Sequence, residues 1–444
     1  MFTSINQFTR NNDQLGGLDL SFNLLDGDLP VSICNMSSLS MLNLAYNKLT
    51  GIIPQCLANL SSLRVLDLQM NRFYGSLPSD FSEFGQLHSL NLNGNQLAGN
   101  IPQYLSRCKN LEFLDLGNNK IEDYFPDWLQ TLQNLKVLIL RDNKLHGVIT
   151  NQKIKHSFPS LIIFDISGNN FRGPLPKDYF KKFDAMRNVI ELDYMMTSGW
   201  EDELPLEISI QSDKPWYYDS MTVATKGIKI TLVKIPTIFV IIDLSRNKFE
   251  GEIPNVIGEL HTLIGLNISY NRLTGPIPKS MGNLTNLEWL DLSSNMLTSH
   301  IPAELTNLGF LEFLNLSNNH LVEEIPKGKQ FNTFSNESYE GNLGLCGFPL
   351  SKKCGLELEP RHFPPSTNNI WSEEKFEFGW KAVAIGYGCG FVIGIGLGCF
   401  VFLIGKPRWL VMIFGGQPKR RVNRRRTRVR RTNGLTMNQM VQMS

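Results

Sequence analysis

LSMLNLAYNKLTGIIP (residues 39–54) and LRVLDLQMNRFYGSLP (residues 63–78) carry one pattern, LxxLxLxxN followed by xLxGxIP, displaced by 24 positions. Working outward, LGGLDLSFN starts at Leu15, LHSLNLNGN at Leu87, LEFLDLGNN at Leu111 and LKVLILRDN at Leu135, still at intervals of 24. LIIFDISGN follows at Leu161 after 26 residues, and past an interruption come FVIIDLSRN at Phe239, LIGLNISYN at Leu263, LEWLDLSSN at Leu287 and LEFLNLSNN at Leu311. Self-similarity at a fixed period marks a solenoid, in which each turn buries its apolar face only by stacking on its neighbours. The leucines then point inward from a short strand and a return segment. The Asn that ends each strand, from Asn23 to Asn319, is predicted to satisfy backbone groups of its own and the adjacent turn. The Gly and Pro of xLxGxIP permit a tight path and end the extended piece; the repeats at Asn119, Asn143, Asn295 and Asn319 lose part of this element.

The organisation predicted along the chain is seven repeats over 1–176, an island over 177–236, four repeats over 237–326, a C-terminal cap over 327–354, a linker over 355–381, a transmembrane helix over 382–404 and a short tail over 405–444. The island keeps Trp200, Trp216, Tyr217, Tyr218 and an alternating stretch from Met221 to Leu232 that suits strands. Residues 382–404, AVAIGYGCGFVIGIGLGCFVFLI, lack charge and as a helix are long enough to cross a hydrocarbon core of about 30 Å. The chain has a formal net charge of +2, but residues 406–444 hold eleven Lys and Arg and no acid, leaving −9 for the rest. A basic flank directly after an apolar span places the C-terminus in the cytosol and the repeats outside, and it suits anionic lipid. The acidic body argues against nucleic acid. Gly386, Gly390, Gly394 and Gly398 recur at every fourth position, a face that lets a second helix approach closely.

Sequons at Asn35, Asn59, Asn267, Asn283, Asn315 and Asn336 agree with an extracellular, glycosylated body. Of seven cysteines, Cys346 and Cys354 are spaced for a local bridge; the pairing of Cys34, Cys56 and Cys108 stays open. No paired CxxC or metal framework occurs. The histidines are scattered, and the aspartates Asp19, Asp67, Asp115, Asp165, Asp243 and Asp291 form a repeated row that reads as an exposed binding ladder or a solubilising surface, not as two tuned carboxylates. The tail of 39 residues after Gly405 is too short for a kinase and carries no kinase motif. No enzyme, cofactor or metal is expected. Variation along the strands nominates Tyr46, Met70, Phe113, Arg141, Asp142 and Trp289 as ligand-contacting positions on the concave face, with Trp216, Tyr217, Tyr218 and Lys226 as island candidates.

The repeats with xLxGxIP resemble the plant type of leucine-rich repeat, an α/β solenoid of parallel strands with short helical or 3-10 returns. IEDYFPDWL at Ile121, FPSLIIFDISGNNFRGPLP at Phe158, YYDSMTVATKG at Tyr217 and QFNTFSNESYEGNLGLCGFPLSKKC at Gln330 extend the likeness to the leucine-rich-repeat receptor-like proteins that include the Cf-type disease-resistance receptors. That resemblance implies a plasma-membrane receptor for an extracellular peptide or protein, without a kinase of its own, working through adaptor and co-receptor leucine-rich-repeat receptor-like kinases, in defence or in development. A non-signalling decoy and an inhibitor of microbial enzymes are the other readings. MFTSINQFTRNNDQLGG lacks a signal segment and an N-terminal cap, so the chain is expected to start inside such a receptor.

Overall fold

The computed structural model describes residues 14–78, 86–149, 157–188, 219–225, 228–232, 235 and 238–355. Trp216, Tyr217, Tyr218, Lys226, the glycine face Gly386 to Gly398, the span 382–404 and the basic tail lie outside the described residues. Among the described residues no helix is long and apolar enough to cross a membrane.

The LxxLxL core of every repeat forms a three-residue strand, and these strands pair in parallel as one sheet of eleven from Gly17–Asp19 to Phe313–Asn315. The register is strict: equivalent residues face each other, as in Val65↔Ser89 and Gly265↔Trp289. In each strand the leucines turn inward, so Leu287, Leu290 and Leu292 are fully buried while residues between them face outward. The island does not break the sheet. Ile163 pairs with Ile241 as neighbouring turns do elsewhere, so the two predicted blocks form a single solenoid with the island looped out.

The Asn ladder explains why. Nδ2 of Asn271 donates to the carbonyls of Ile268 and Ser269 in its own turn and of Leu244 in the turn before, while its Oδ1 accepts the N–H of Phe249. The same set recurs across the island, where Asn247 reaches the carbonyl of Ile166 and accepts from Phe171 N. One side chain therefore serves four buried backbone groups that a strand of three residues cannot serve itself. Asn342 continues the ladder into the cap, donating to Leu316 O and accepting from Leu321 N. The cap strand Gly344–Cys346 then pairs with His320–Glu324, and a disulfide joins Cys346 to Cys354.

The xLxG elements form a second set of short parallel strands, and most turns return through a five-residue 3-10 helix such as Asn255–Glu259. The Gly of xLxG lies at positive φ, +82° at Gly251 and +74° at Gly275. Where the element loses its glycine, Ser299 and Glu323 take the same left-handed conformation at 69° and 72°, since the ladder on either side imposes it. Packing between returns is tight enough that a Cβ on Gly258 would meet the Ser280 carbonyl oxygen at 2.2 Å.

A second disulfide, which spacing left open, links Cys34 to Cys56 with Cα atoms 5.8 Å apart. Each sits in the return of one of two stacked turns. Cys108 is buried and free, and burial pushes its thiol up to about 12.

The first residues assigned to the island, the helices Lys177–Phe180 and Asp184–Arg187, pack Tyr179, Phe180, Phe183 and Met186 into the solenoid core. Tyr179 meets Phe125 at a tilt, and Phe183 meets Phe158 and Phe164 edge-on. The Met221–Leu232 stretch forms an antiparallel hairpin, Met221–Thr225 against Ile228–Leu232.

Candidate functional site

Four side-chain columns run across the open face of the long sheet, because each 24-residue turn places equivalent residues side by side, about 4.8 Å apart. The first column includes Ser89, Phe113, Val137, Ile163, Ile241, Gly265, Trp289 and Phe313. The second holds the Asp and Asn row. The third holds Ala45, Gln69, Asn93 and Arg141, then serines from Ser167 to Ser317. The fourth, immediately before each ladder Asn, holds Phe22, Tyr46, Met70, Asn118, Asp142, Arg246, Tyr270, Ser294 and Asn318, all at φ between 49° and 55°. Bulky residues rarely take that conformation. It persists here because each N–H bonds the next turn, as Tyr46 N does to Gln69 O and Tyr270 N to Ser293 O. The result is a column of exposed large side chains; Phe22 stacks on Tyr46 at 4.3 Å, and Arg246 lies over the Tyr270 ring at 5.7 Å.

The hairpin crosses this face over the middle turns. Ser89 Oγ donates to the Asp219 carboxylate at 2.5 Å, Gln69 Nε2 donates to Ser220 Oγ at 3.1 Å, and the Arg141 guanidinium donates to the Thr222 carbonyl and, at 3.4 Å, to Asp165. Met221 and Val223 join the apolar core. Burial, opposed by the Ser89 bond and reinforced by Asp67 and Glu112, pushes the Asp219 carboxyl up to about 7.

Beside the hairpin the face opens into a cavity of about 360 Å³. Its floor is Asp165, Asp243, Asn267 and Asp291, and its walls include Trp289, Phe313, Tyr270 and Thr222. Asp243 accepts from Ser245 N and Asn267 Nδ2, and Asp291 from both groups of Ser293. Desolvation nevertheless raises both carboxyls, Asp243 to about 7 with Asp165 adding to the rise. The Trp289 indole lies in the slot left by Gly265, where a Cβ would come within 1.9 Å of the ring. Its Nε1 is buried without a hydrogen-bond partner among the described residues.

Several expected positions are relocated. Phe113 is fully buried among the core residues, not free for a ligand. Arg141 is committed to Asp165 and Thr222, since the hairpin docks on it. Trp289 is 2% exposed, a cavity wall instead of an open contact. Tyr46, Met70 and Asp142 stand in the left-handed column, and Met70 and Asp142 also line the cavity. The aspartate row is exposed only at its first member, Asp19: Asp291 is partly buried, and Asp67, Asp115, Asp165 and Asp243 are buried, each capping backbone or serine donors of its own turn. Among the sequons, Asn35, Asn59, Asn283 and Asn336 are exposed; Asn267 and Asn315 belong to the half-buried Asp and Asn column of the open face, where their Oδ1 atoms accept from Ser269 and Ser317. Sequence reasoning missed Asp219 and Ser89, whose meeting across 130 residues has no local signal. It also missed Cys34–Cys56, whose separation of 22 close to the repeat period was the available sign. Among the described residues no group of His, Cys, Asp and Glu is arranged to hold a metal ion.

The leucine rich repeat family matches residues 13–73, 85–145, 240–297 and 261–321. Receptor-like protein 34 of Arabidopsis thaliana is 50% identical over 277 residues, 62% of this chain and 27% of that protein. Receptor-like protein 9DC3 of Solanum pimpinellifolium is 52% identical over 253 residues, and the receptor-like protein Cf-9 homolog of Solanum lycopersicum 51% over 252. The chain spans 28% and 29% of those two. Among solved structures, a TDR receptor aligns with a TM-score of 0.56 at 28% identity over 72% of this chain and 46% of that one. The Arabidopsis receptor kinase HAESA, solved with the peptide hormone IDA and the co-receptor SERK1, aligns at 0.54 and 31% over 75% of this chain and 50% of its own. The eleven-turn parallel sheet and about half-identical residues over 62% and 57% of the chain identify it as a plant leucine-rich-repeat receptor-like protein of the Cf type.

Proposed function

We propose that this chain is the receptor part of a plasma-membrane assembly: its repeats lie outside the cell and bind a peptide or protein, and it signals, in plant defence, through partner receptor-like kinases. The observation that carries this reading is the open face itself. A rigid eleven-turn sheet presents a left-handed column of Tyr46, Met70, Asp142, Arg246 and Tyr270 beside a cavity, and a hairpin from elsewhere in the chain borders that cavity. A surface of this kind recognises a ligand by length and side-chain order. The proposed role is non-enzymatic. The four exposed sequons carry glycans, the bridge Cys346–Cys354 closes the solenoid, residues 382–404 cross the membrane once, and the basic tail contacts cytosolic lipid. Gly386, Gly390, Gly394 and Gly398 form the helix face that meets an adaptor kinase, and the island residues Trp216, Tyr217, Tyr218 and Lys226 contribute to a co-receptor contact.

Purification of the tagged full chain from leaf membranes, followed by mass spectrometry, tests the assembly. A receptor-like kinase is expected to co-purify and to be lost from the double variant Gly390→Leu, Gly394→Leu. Recovery of no kinase with the unaltered chain, or equal recovery with the variant, overturns it.

A further inference from the structure

The cavity beside the hairpin has a chemistry that names part of its occupant. Asp165 has a cationic partner in Arg141. Asp243, buried, and Asp291, partly buried, form no ion pair among the described residues, although the Arg141 charge also acts on Asp243; their bonds come from Ser245, Asn267, Ser293 and Asn315, all neutral. Arg141 and Arg246 also line the cavity, Arg141 held by Asp165 and Thr222 and Arg246 laid over the Tyr270 ring. Buried carboxylates held by neutral donors retain attraction for a cation. Asn267 separates them in the register, so a charge placed above it stands one strand spacing, about 4.8 Å, from each.

The walls add two demands. Trp289, Tyr270 and Phe313 offer aromatic surface suited to the methylene stem of a long side chain and to its cation. The Trp289 indole N–H, closed off over Gly265 and unpaired among the described residues, is a donor awaiting an acceptor. An anion meets the carboxylates unfavourably. A purely apolar group leaves both the carboxylates and the indole N–H unanswered. A basic amino acid within a chain has each required part: a cationic head, an apolar stem and a main-chain carbonyl.

We propose that this cavity is the subsite for one Arg or Lys of an extended peptide, its head between Asp243 and Asp291 over Asn267, its stem along Trp289 and Tyr270, and a neighbouring peptide carbonyl accepting from Trp289 Nε1 once the ring tilts out of the Gly265 slot. This deepens the receptor reading and rests on it for the peptide nature of the ligand. Asp243 and Asp291 select the charge, and Trp289 anchors the backbone beside it.

The purified full chain in detergent is titrated with pools of blocked decapeptides in which one central residue is fixed as Arg, Lys, citrulline or Glu and the others are randomised. Arg and Lys pools are expected to bind at least tenfold tighter than citrulline and Glu pools, and the difference is expected to shrink as salt rises. The double variant Asp243→Asn, Asp291→Asn equalises the pools. Trp289→Phe keeps the ring, loses the N–H and weakens all pools alike. Circular dichroism melting of each variant shows that it is folded. Equal binding of all pools, a basic preference that survives the double variant, or tighter binding of a neutral oligosaccharide than of the Arg pool overturns the proposal. Because no kinase is present in the titration, its failure leaves the co-purification result untouched, and failure of co-purification leaves the titration readable.

Discussion

Replacing Asn271 by Ala removes four hydrogen bonds at once, two within its turn and two to the turn before. The residue is buried, and water cannot substitute without opening the stack. Phe249 N–H is left without its acceptor, while Leu244 O keeps Asn247 Nδ2, Ile268 O keeps Asn295 Nδ2 and Ser269 O keeps Arg246 N; one buried group left unpaired sets the expected loss at about 1–3 kcal/mol. Asn23 supplies the internal control, since it is exposed and donates only to Leu20 O and Ser21 O in its own turn among the described residues. Asn23→Ala is expected to cost under about 1 kcal/mol. Asn271→Asp is expected to be at least as harmful as Asn271→Ala, since it keeps the acceptor for Phe249 but turns a carboxylate toward three carbonyl oxygens. Urea unfolding of the purified full chain in one detergent, followed by far-ultraviolet circular dichroism, gives the three midpoints. Equal, small shifts for Asn271→Ala and Asn23→Ala would refute the ladder as the element that joins the turns.

Cys34→Ser is expected to destabilise the first turns by about 3 kcal/mol, the loop-closure value for a 22-residue separation, read as earlier proteolytic cleavage before Leu63 while the later turns resist. Gly258→Ala drives a Cβ to 2.2 Å from the Ser280 carbonyl oxygen, a backbone atom that cannot swing aside, and is expected to lower stability by about 1–3 kcal/mol in the same urea series. The folded chain holds the Asp219 proton more tightly than an ordinary carboxyl at 3.8 would, so docking of the hairpin is complete in acid and is weakened as pH rises through about 7. Ser89, Asp67, Glu112 and Lys136 are the groups facing it. Amide exchange at Met221 to Thr225, corrected for intrinsic rate, is expected to be faster at pH 8 than at pH 5, and Asp219→Asn is expected to abolish the difference. Peptide mass spectrometry of the plant-expressed chain is expected to find glycans at Asn35, Asn59, Asn283 and Asn336 but none at Asn267 or Asn315, whose amides are held within the Asp and Asn column.

The fold was legible because a solenoid repeats its instructions. Leu39, Leu42 and Leu44 recur as Leu63, Leu66 and Leu68, and each set states locally which side chains go in. The role of Asn47 was equally legible, since one amide at a fixed place in a fixed turn has few backbone groups within reach. Cap and hairpin followed from pattern as well. The face was less legible. Phe113 and Trp289 occupy equivalent outward positions, yet both are buried, Trp289 over Gly265, because neighbouring turns cover them. The aspartates read as exposed because alternation in a strand gives direction and not depth.

The sequence by itself thus determined the repeat, its period, its inward leucines and the Asn that stitches turn to turn, because these depend on contacts at a constant separation along the chain. Tertiary structure alone decided that Ile163 and Ile241 pair across the island, that Cys34 meets Cys56, that Asp219 lands on Ser89, and that Asp243, Asp291 and Trp289 enclose one cavity. Each of those meetings joins residues on different turns or across the looped-out island, and it exists only once stacking has fixed the distance between them.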